Sequence, residues 1–349
     1  SVCSEERGQY MRIILDGMGG DNAPFEIIKG AVEASHEIRD EIVIIGMEEE
    51  IRKALSEFKG KYDEKRIRIA NATEVITNTD APVKAIRTKK DSSMVKGITM
   101  VKNGEGDLFV SAGNSGALMA GGLFILGRIQ GIDRPAIASI YPILGGKPSL
   151  LVDAGANAEC KPNNLLEFAT MGSIYMERVL GRQHPTVGLV NIGAEETKGS
   201  TLTKASYELL EKSNVRFIGN VEARDVPYGA CDVIVCDGFV GNVILKLTEG
   251  IAMNVLRRLK RVFSEGMASK VGAALLLPKI KALKAEFDYT EYGGAPILGV
   301  KGAIIKMHGS SDAKSVKNTI IKGLPYANEN VVQIIQDAVE ELEEITISE

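Results

Sequence analysis

The chain has 349 residues, 44% of them apolar and 25% charged, with a formal net charge of −4. That length buries a large core, enough for two domains or one large α/β domain, and the mild acidity gives no reason to expect nucleic acid as a partner. The four cysteines (Cys3, Cys160, Cys231, Cys236) match no zinc spacing and the three histidines add little as ligands, so free thiols in a reducing cytoplasm are expected.

Residues 1–10 are polar and patternless, unlike a signal peptide, and are read as a disordered tail before Met11 opens the first strand. Predicted strands then follow at Arg12–Leu15, Glu41–Ile45, Arg66–Ile69, Asp107–Val110, Ala136–Tyr141, Ser149–Val152, Thr186–Val190, Arg216–Ile218 and Asp232–Val235. Several are continuous apolar runs, the pattern of strands covered on both faces. Helical periodicity lies between them, as at Pro24–Ala34, Glu48–Phe58, Ala117–Leu126 and Leu165–Val179. The alternation predicts a three-layer α/β/α sandwich with a mainly parallel sheet. The turn-rich link 142–148 is too short for a crossover helix, so Ala136–Tyr141 and Ser149–Val152 are expected to pair antiparallel and make the sheet mixed. With no repeat and no low-complexity linker, residues 11–349 read as a single catalytic domain. No uninterrupted apolar segment approaches the roughly 18 residues that span a bilayer. A cytoplasmic protein, at most peripherally bound to a membrane, is expected.

Polar, glycine-rich clusters recur after the strands, on the edge where open α/β sheets bind ligands. They begin at Asp16, Ser111, Asp153, Asn191, Cys236 and His308. Asp16-Gly-Met-Gly-Gly-Asp lacks the last glycine of G-x-G-x-x-G, since position 22 is Asn22, and strand two ends on Gly46 instead of an acid. A dinucleotide site is therefore disfavoured, and neither a P-loop nor a G-x-S-x-G elbow occurs. His36 and His184 lie outside the clusters, which leaves His308 to orient a substrate, shuttle a proton or cap a helix. Cys231 and Cys236 flank an apolar strand, so Cys236 is expected to pack in the core; a catalytic cysteine is the alternative, although no histidine lies nearby in sequence.

Ser111-Ala-Gly-Asn-Ser-Gly-Ala117 joins a strand to a helix and admits two readings. Asn114 or Ser115 caps the helix in one. In the other, orphan helix amides and flexible glycines cradle an anion. Five companion clusters favour the cradle. Such a site needs a cation; Lys198 in its loop either supplies that charge or is a solvated loop lysine. The candidate catalytic residues are thus Lys198, Asp237, Asn242 and His308. Candidate phosphate- or substrate-binding residues are Asp16, Gly19, Gly20, Asp21, Ser111, Gly113, Asn114, Ser115, Gly116, Asp153, Asn157, Asn191, Gly238 and Ser310, with no metal and no cofactor.

Residues 251–284 stand apart as a basic amphipathic helical arm: eight Lys or Arg against Glu265 alone. Arg257, Arg258, Lys260 and Arg261, followed by Leu275, Leu276 and Leu277, are the candidate contacts for an anionic membrane or an acidic protein partner. Packing against a second subunit also accounts for the apolar residues, although not for so many cations.

Seven stretches in order, DGMGGDNAP (16–24), SAGNSGALMAG (111–121), DAGAN (153–157), NIGAEETKG (191–199), DGFVGN (237–242), EYGGAPILGV (291–300) and HGSSDAK (308–314), closely resemble the bacterial PlsX phosphate acyltransferases of phospholipid synthesis. Gly17 and Ser115 stand where that family commonly has alanine and threonine, both small changes. The resemblance implies transfer of a long-chain acyl group from acyl carrier protein to inorganic phosphate. It also implies a homodimer and a fold like that of the isocitrate and isopropylmalate dehydrogenases and of phosphotransacetylase. Another enzyme on a similar fold, such as a nicotinamide-dependent decarboxylating dehydrogenase, would need an arginine cluster that is missing here. A membrane-surface scaffold would leave the six clusters without a purpose.

Overall fold

The computed structural model describes residues 10–264, 272–273, 275–276, 278–280 and 292–347. The tail before Tyr10, Leu277 and most of the arm beyond Ser264 lie outside the described residues. In chain order the elements are β1 (Arg12–Asp16), α1 (Phe25–Ser35), β2 (Glu41–Gly46), α2 (Glu48–Ser56), β3 (Ile67–Asn71), α3 (Pro82–Thr88), α4 (Ser93–Lys102) and β4 (Leu108–Ser111). Next come α5 (Ser115–Gly121) with a π-helical turn at Gly122–Leu126, β5 (Ala136–Tyr141), β6 (Ser149–Val152), α6 (Pro162–Arg178), β7 (Thr186–Asn191), α7 (Thr201–Lys212) and β8 (Arg216–Glu222). The last are β9 (Val233–Val235), α8 (Gly238–Ser264), β10 (Ala295–Leu298), β11 (Ala303–Lys306), α9 (Ala313–Asn328) and α10 (Val331–Ile347). The result is the expected α/β class with a mixed, mainly parallel sheet.

Two compact units are built from interleaved segments. The first takes the chain up to Ala138, Ile174–Gln183 and everything from Tyr292 onward. Its strands run in the order β3-β2-β1-β4-β11-β10-β5. The first five are parallel, and β10 is antiparallel to both neighbours. Ile13, Ile14 and Leu15 of β1 are fully buried, each such side chain stabilising by about 1.5–3 kcal/mol. Helices cover the strands closely: a Cβ on Gly30 of α1 would fall 2.5 Å from Val316 Cβ of α9. Tyr326 of α9 donates to the Ile297 carbonyl at 3.0 Å and meets the Tyr175 ring edge-on at 5.5 Å.

The second unit holds Ser139–Ser173 and His184–Glu291, with parallel strands in the order β6-β9-β7-β8. β5 leads into β6 through the turn-rich 142–148, and β8 is half-exposed at the edge, where Phe217 packs on Tyr207 at 5.1 Å. Only Gly238 and Gly241 of the 27-residue α8 are buried. Phe239, Val243, Leu247, Ile251 and Val255, four residues apart, form an exposed apolar stripe. Over an 18-residue window α8 has a mean hydropathy of 1.3, so by length and composition one helix does reach the spanning range. The sequence reading counted only uninterrupted apolar runs, and polar residues spaced along α8 hid its average.

All nine expected strands are present. β10 and β11 are not among those nine: Pro296 and the flanking Gly293, Gly294 and Gly299 read as a turn, and the short β11 was marked only by the polar cluster that follows it at His308.

Candidate active site

Three loops of the first unit interlock at the carboxyl ends of β1, β4 and β11. Asp16 is buried, and Ser111 Oγ donates to its Oδ2 at 2.7 Å. The Met18 amide donates to Asp16 Oδ1 and the Gly113 amide to Ser111 Oγ, at 3.1 and 3.0 Å. Hydroxyl and amide dipoles thus face this carboxylate and fix the turn of each loop. Gly19 lies so close above them that a Cβ would sit 2.5 Å from Asp16 Oδ2 and 2.7 Å from the Gly113 nitrogen. Gly20 adopts φ +102°, a region open to glycine, with room limited by Ala112 and the Gly309 carbonyl. The Asp21 amide donates to that carbonyl at 2.7 Å, and Asn22 Nδ2 donates to the carbonyls of Ser310 and Ser311.

Asn114 is the N-cap of α5: its Oδ1 accepts from the Ala117 amide at 3.0 Å, and its Nδ2 donates to the carbonyls of Thr77 and Asp80. The capping reading therefore describes the Asn114 side chain. Ser115 and Gly116, the first two helical residues, are exposed, and their amides are among the orphan donors of a helix start. His308 is exposed, and its Nδ1 accepts from the Ser310 amide at 3.2 Å with Ser310 Oγ 2.8 Å away. An accepting Nδ1 places the proton of the neutral ring on Nε2.

In the second unit Asp153, fully buried, is the hub. It accepts from the amides of Gly155, Ala156 and Asn157, and from Asn157 Nδ2 at 2.9 Å. Gly238 packs onto this ring: a Cβ there would lie 2.7 Å from both Asp153 Oδ2 and the Asn157 nitrogen, and the Gly238 amide donates to the Asn157 carbonyl at 2.7 Å. Asp237 starts α8, its Oδ1 accepting from the Val240 amide at 2.9 Å. One turn on, Asn242 is exposed and lies against Gly155.

Asn191 at the end of β7 donates from its side-chain amide to the Lys198 carbonyl of its own loop and to Asn220 Oδ1 on neighbouring β8, both at 3.1 Å. It thereby shapes the turn that presents Lys198, whose side chain is exposed. Cys236 is buried, and burial, then the charges of Asp237 and Asp153, push its thiol far above the ordinary range. Burial likewise pushes Cys231 up to about 12. Neither is a thiolate nucleophile near neutral pH. Among the described residues no group of three or more His, Cys, Asp or Glu side chains could hold a metal ion.

The structure thus gathers the candidates into two sets. Asp16, Gly19, Gly20, Asp21, Ser111, Gly113, Asn114, Ser115, Gly116, His308 and Ser310 lie in the first unit, and Asp153, Asn157, Asn191, Lys198, Asp237, Gly238 and Asn242 in the second. Arg257, Arg258, Lys260 and Arg261 are exposed near the end of α8, and Leu275 and Leu276 are exposed beyond it. Sequence reasoning passed over Lys306. It ends β11 in register with Ser111 and donates from Nζ to the Met307 and Ala112 carbonyls, the second at 3.4 Å. The available signal was its place two residues before His308, at the close of an apolar run.

Comparison with known proteins adds a family. Residues 11–334 match the model of a family described as fatty acid synthesis protein. The chain is 53% identical over 332 residues to a protein named phosphate acyltransferase from Alkaliphilus oremlandii, covering 95% of this chain and 98% of that one. It is 48% identical over 334 residues to a phosphate acyltransferase from Clostridioides difficile, with coverage of 96% and 98%. Among solved structures, a phosphotransacetylase from Streptococcus pyogenes superposes with a TM-score of 0.63 at 16% identity, covering 93% of this chain and 95% of that one. A branched-chain phosphotransacylase from Enterococcus faecalis gives 0.56 at 13% identity, covering 91% and 99%. These two likenesses show the fold alone.

Proposed function

Because the chain belongs to the fatty acid synthesis protein family and is a phosphate acyltransferase, we propose that its acyl donor is a long-chain acyl–acyl-carrier-protein. Inorganic phosphate is the acceptor, and the products are acyl phosphate and free carrier protein, feeding phosphatidic acid and phospholipid synthesis. The observation that carries this reading is the order of the seven motif stretches across residues 16–314, shared with the PlsX pattern.

A phosphate oxygen attacks the thioester carbonyl carbon directly. The new C–O bond forms, charge collects on the carbonyl oxygen, and the C–S bond then breaks as the carrier's thiolate leaves. A thiolate departs readily, so strong acid catalysis is not required, and the exchange of sulfur for oxygen transfers no electrons to a cofactor. The amides of Ser115 and Gly116, two exposed residues at a helix start, with Nε2 of His308, suit an anionic oxygen, either of phosphate or of the tetrahedral intermediate. One such donor is worth about 3–4 kcal/mol of barrier. Lys198 and Asn242 are proposed to contact substrate, with Asp153, Asn157, Asn191, Asp237 and Gly238 holding their loops in shape. The exposed cations of α8 support docking of an acidic carrier protein and peripheral contact with a membrane from the cytoplasm. Its exposed apolar stripe supports a homodimer.

Purified protein mixed with palmitoyl-carrier protein and phosphate is expected to form acyl phosphate, trapped as the hydroxamate, without added nucleotide or metal. No phosphate-dependent product would refute the function. A radiolabelled acyl group bound covalently to the enzyme in the absence of phosphate would refute direct attack.

A further inference from the structure

The first unit's loops contain a charge problem. Asp16 is buried and Asp21 lies in the same loop, while the other candidates there, His308 aside, carry no charged side chain. A phosphate dianion approaching these carboxylates is repelled unless a cation stands beside it. Lys198 belongs to the second unit.

Lys306 supplies that cation. The main chain of β11 is laddered to β4 from Ala303↔Leu108 to Lys306↔Ser111, and the Met307 amide donates to the Ser111 carbonyl at 2.8 Å. The lysine therefore stands on a fixed strand end, where a binding group is held more accurately than on a loop. Its side chain is half-buried, and its ammonium lies at the carbonyls of Ala112 and Met307. These belong to the loop that starts α5 and to the approach to His308. At 3.4 Å the Ala112 contact is at the long limit of a hydrogen bond, and an anionic oxygen is a stronger acceptor for an ammonium than a carbonyl.

We propose that Lys306 is a phosphate-binding residue of the acyl transfer, its ammonium holding an oxygen of the inorganic phosphate nucleophile beside Ser115 and Gly116. The proposal rests on the phosphate acyltransferase reading above. Charge-assisted hydrogen bonds contribute about 1.5–3 kcal/mol, so Lys306→Gln is expected to raise the KM for phosphate by about ten- to a hundredfold. The KM for acyl-carrier protein should stay unchanged, and Lys306→Arg should keep the phosphate KM within a fewfold of wild type. Thermal melts with and without inorganic phosphate give a readout independent of turnover. Phosphate should raise the melting temperature of the wild type and of Lys306→Arg, and much less that of Lys306→Gln. Should Lys306→Gln not fold, Lys306→Met is measured in the same two ways. Equal losses for both substrates, or full protection of the neutral variants by phosphate, would overturn the proposal. A wild type that phosphate protects but that transfers no acyl group would instead count against the functional reading.

Discussion

Asp80 shows how one half-buried side chain steadies the loops of the first unit. Its carboxylate receives Lys89 Nζ at 2.7 Å and the Thr77 amide at 2.7 Å, while the carbonyls of Thr77 and Asp80 anchor Asn114. The Lys89 hydrogen bond first, and the Thr77 amide second, lower its pKa from 3.8 to about 2. A folded-state value below the unfolded one makes a stability contribution that is complete above about pH 4 and is lost as pH falls toward about 2. Asp91 follows the same course, paired with Lys96 at 2.6 Å. Melting temperatures measured between pH 5 and 2.5 should therefore fall less steeply in Asp80→Asn than in the wild type. Identical slopes would show that the pair is not linked to folding. At this scale the sequence was legible in kind but not in role. Asn114 and Asp153 were correctly placed in polar clusters, yet hydrogen bonds to residues 37 positions away (Asn114 to Thr77) or within one turn (Asp153 to Asn157) decide what they do. Residue type and spacing encode neither.

Elements were more legible, because apolar runs covered on both faces leave a strong pattern. β1, β2, β4 and β7 were plain for that reason. β10 was hidden by Pro296, tolerated where its partner is Ile305 of a short ladder. The predicted helix Ala117–Leu126 begins two residues earlier, at Ser115, and its second half, from Gly122, widens into a π turn ending at Gly127 with φ +88°. Long α8 contains Gly250, exposed in mid-helix, where an added Cβ meets nothing within 4 Å. Glycine at such a place costs roughly 0.5–1 kcal/mol relative to alanine. Gly250→Ala should thus raise the denaturation midpoint in urea with an unchanged slope, and leave turnover unaltered. A lowered midpoint would mean that another surface closes on that face.

At the scale of the whole molecule, charge is unevenly placed: a chain of net −4 carries Arg257, Arg258, Lys260 and Arg261 within one helical stretch. Each cation near an anionic bilayer adds about 1 kcal/mol, screened by salt. Flotation with phosphatidylglycerol-containing vesicles should recover the protein at low salt, less at high salt, and less again for Leu275→Glu, whose leucine is 78% exposed. Recovery indifferent to both changes would refute membrane contact. The division into two interleaved units was not legible where residues 11–349 read as a single domain, since contacts between distant segments leave no mark on local composition.

The place of β11 has a consequence for how the protein is made. It covers one side of β4, yet is synthesised after the whole second unit. Roughly 190 residues separate the two, which at ribosomal speed is about 10–40 s during which the edge of β4 has no partner. A bare apolar edge strand is a template for pairing with other chains. The nascent chain thus carries a temporary vulnerability, and the late strand that ends it also delivers Lys306 and His308. Molecules released before that point lack both the edge cover and these two groups, so truncated products are prone to aggregate.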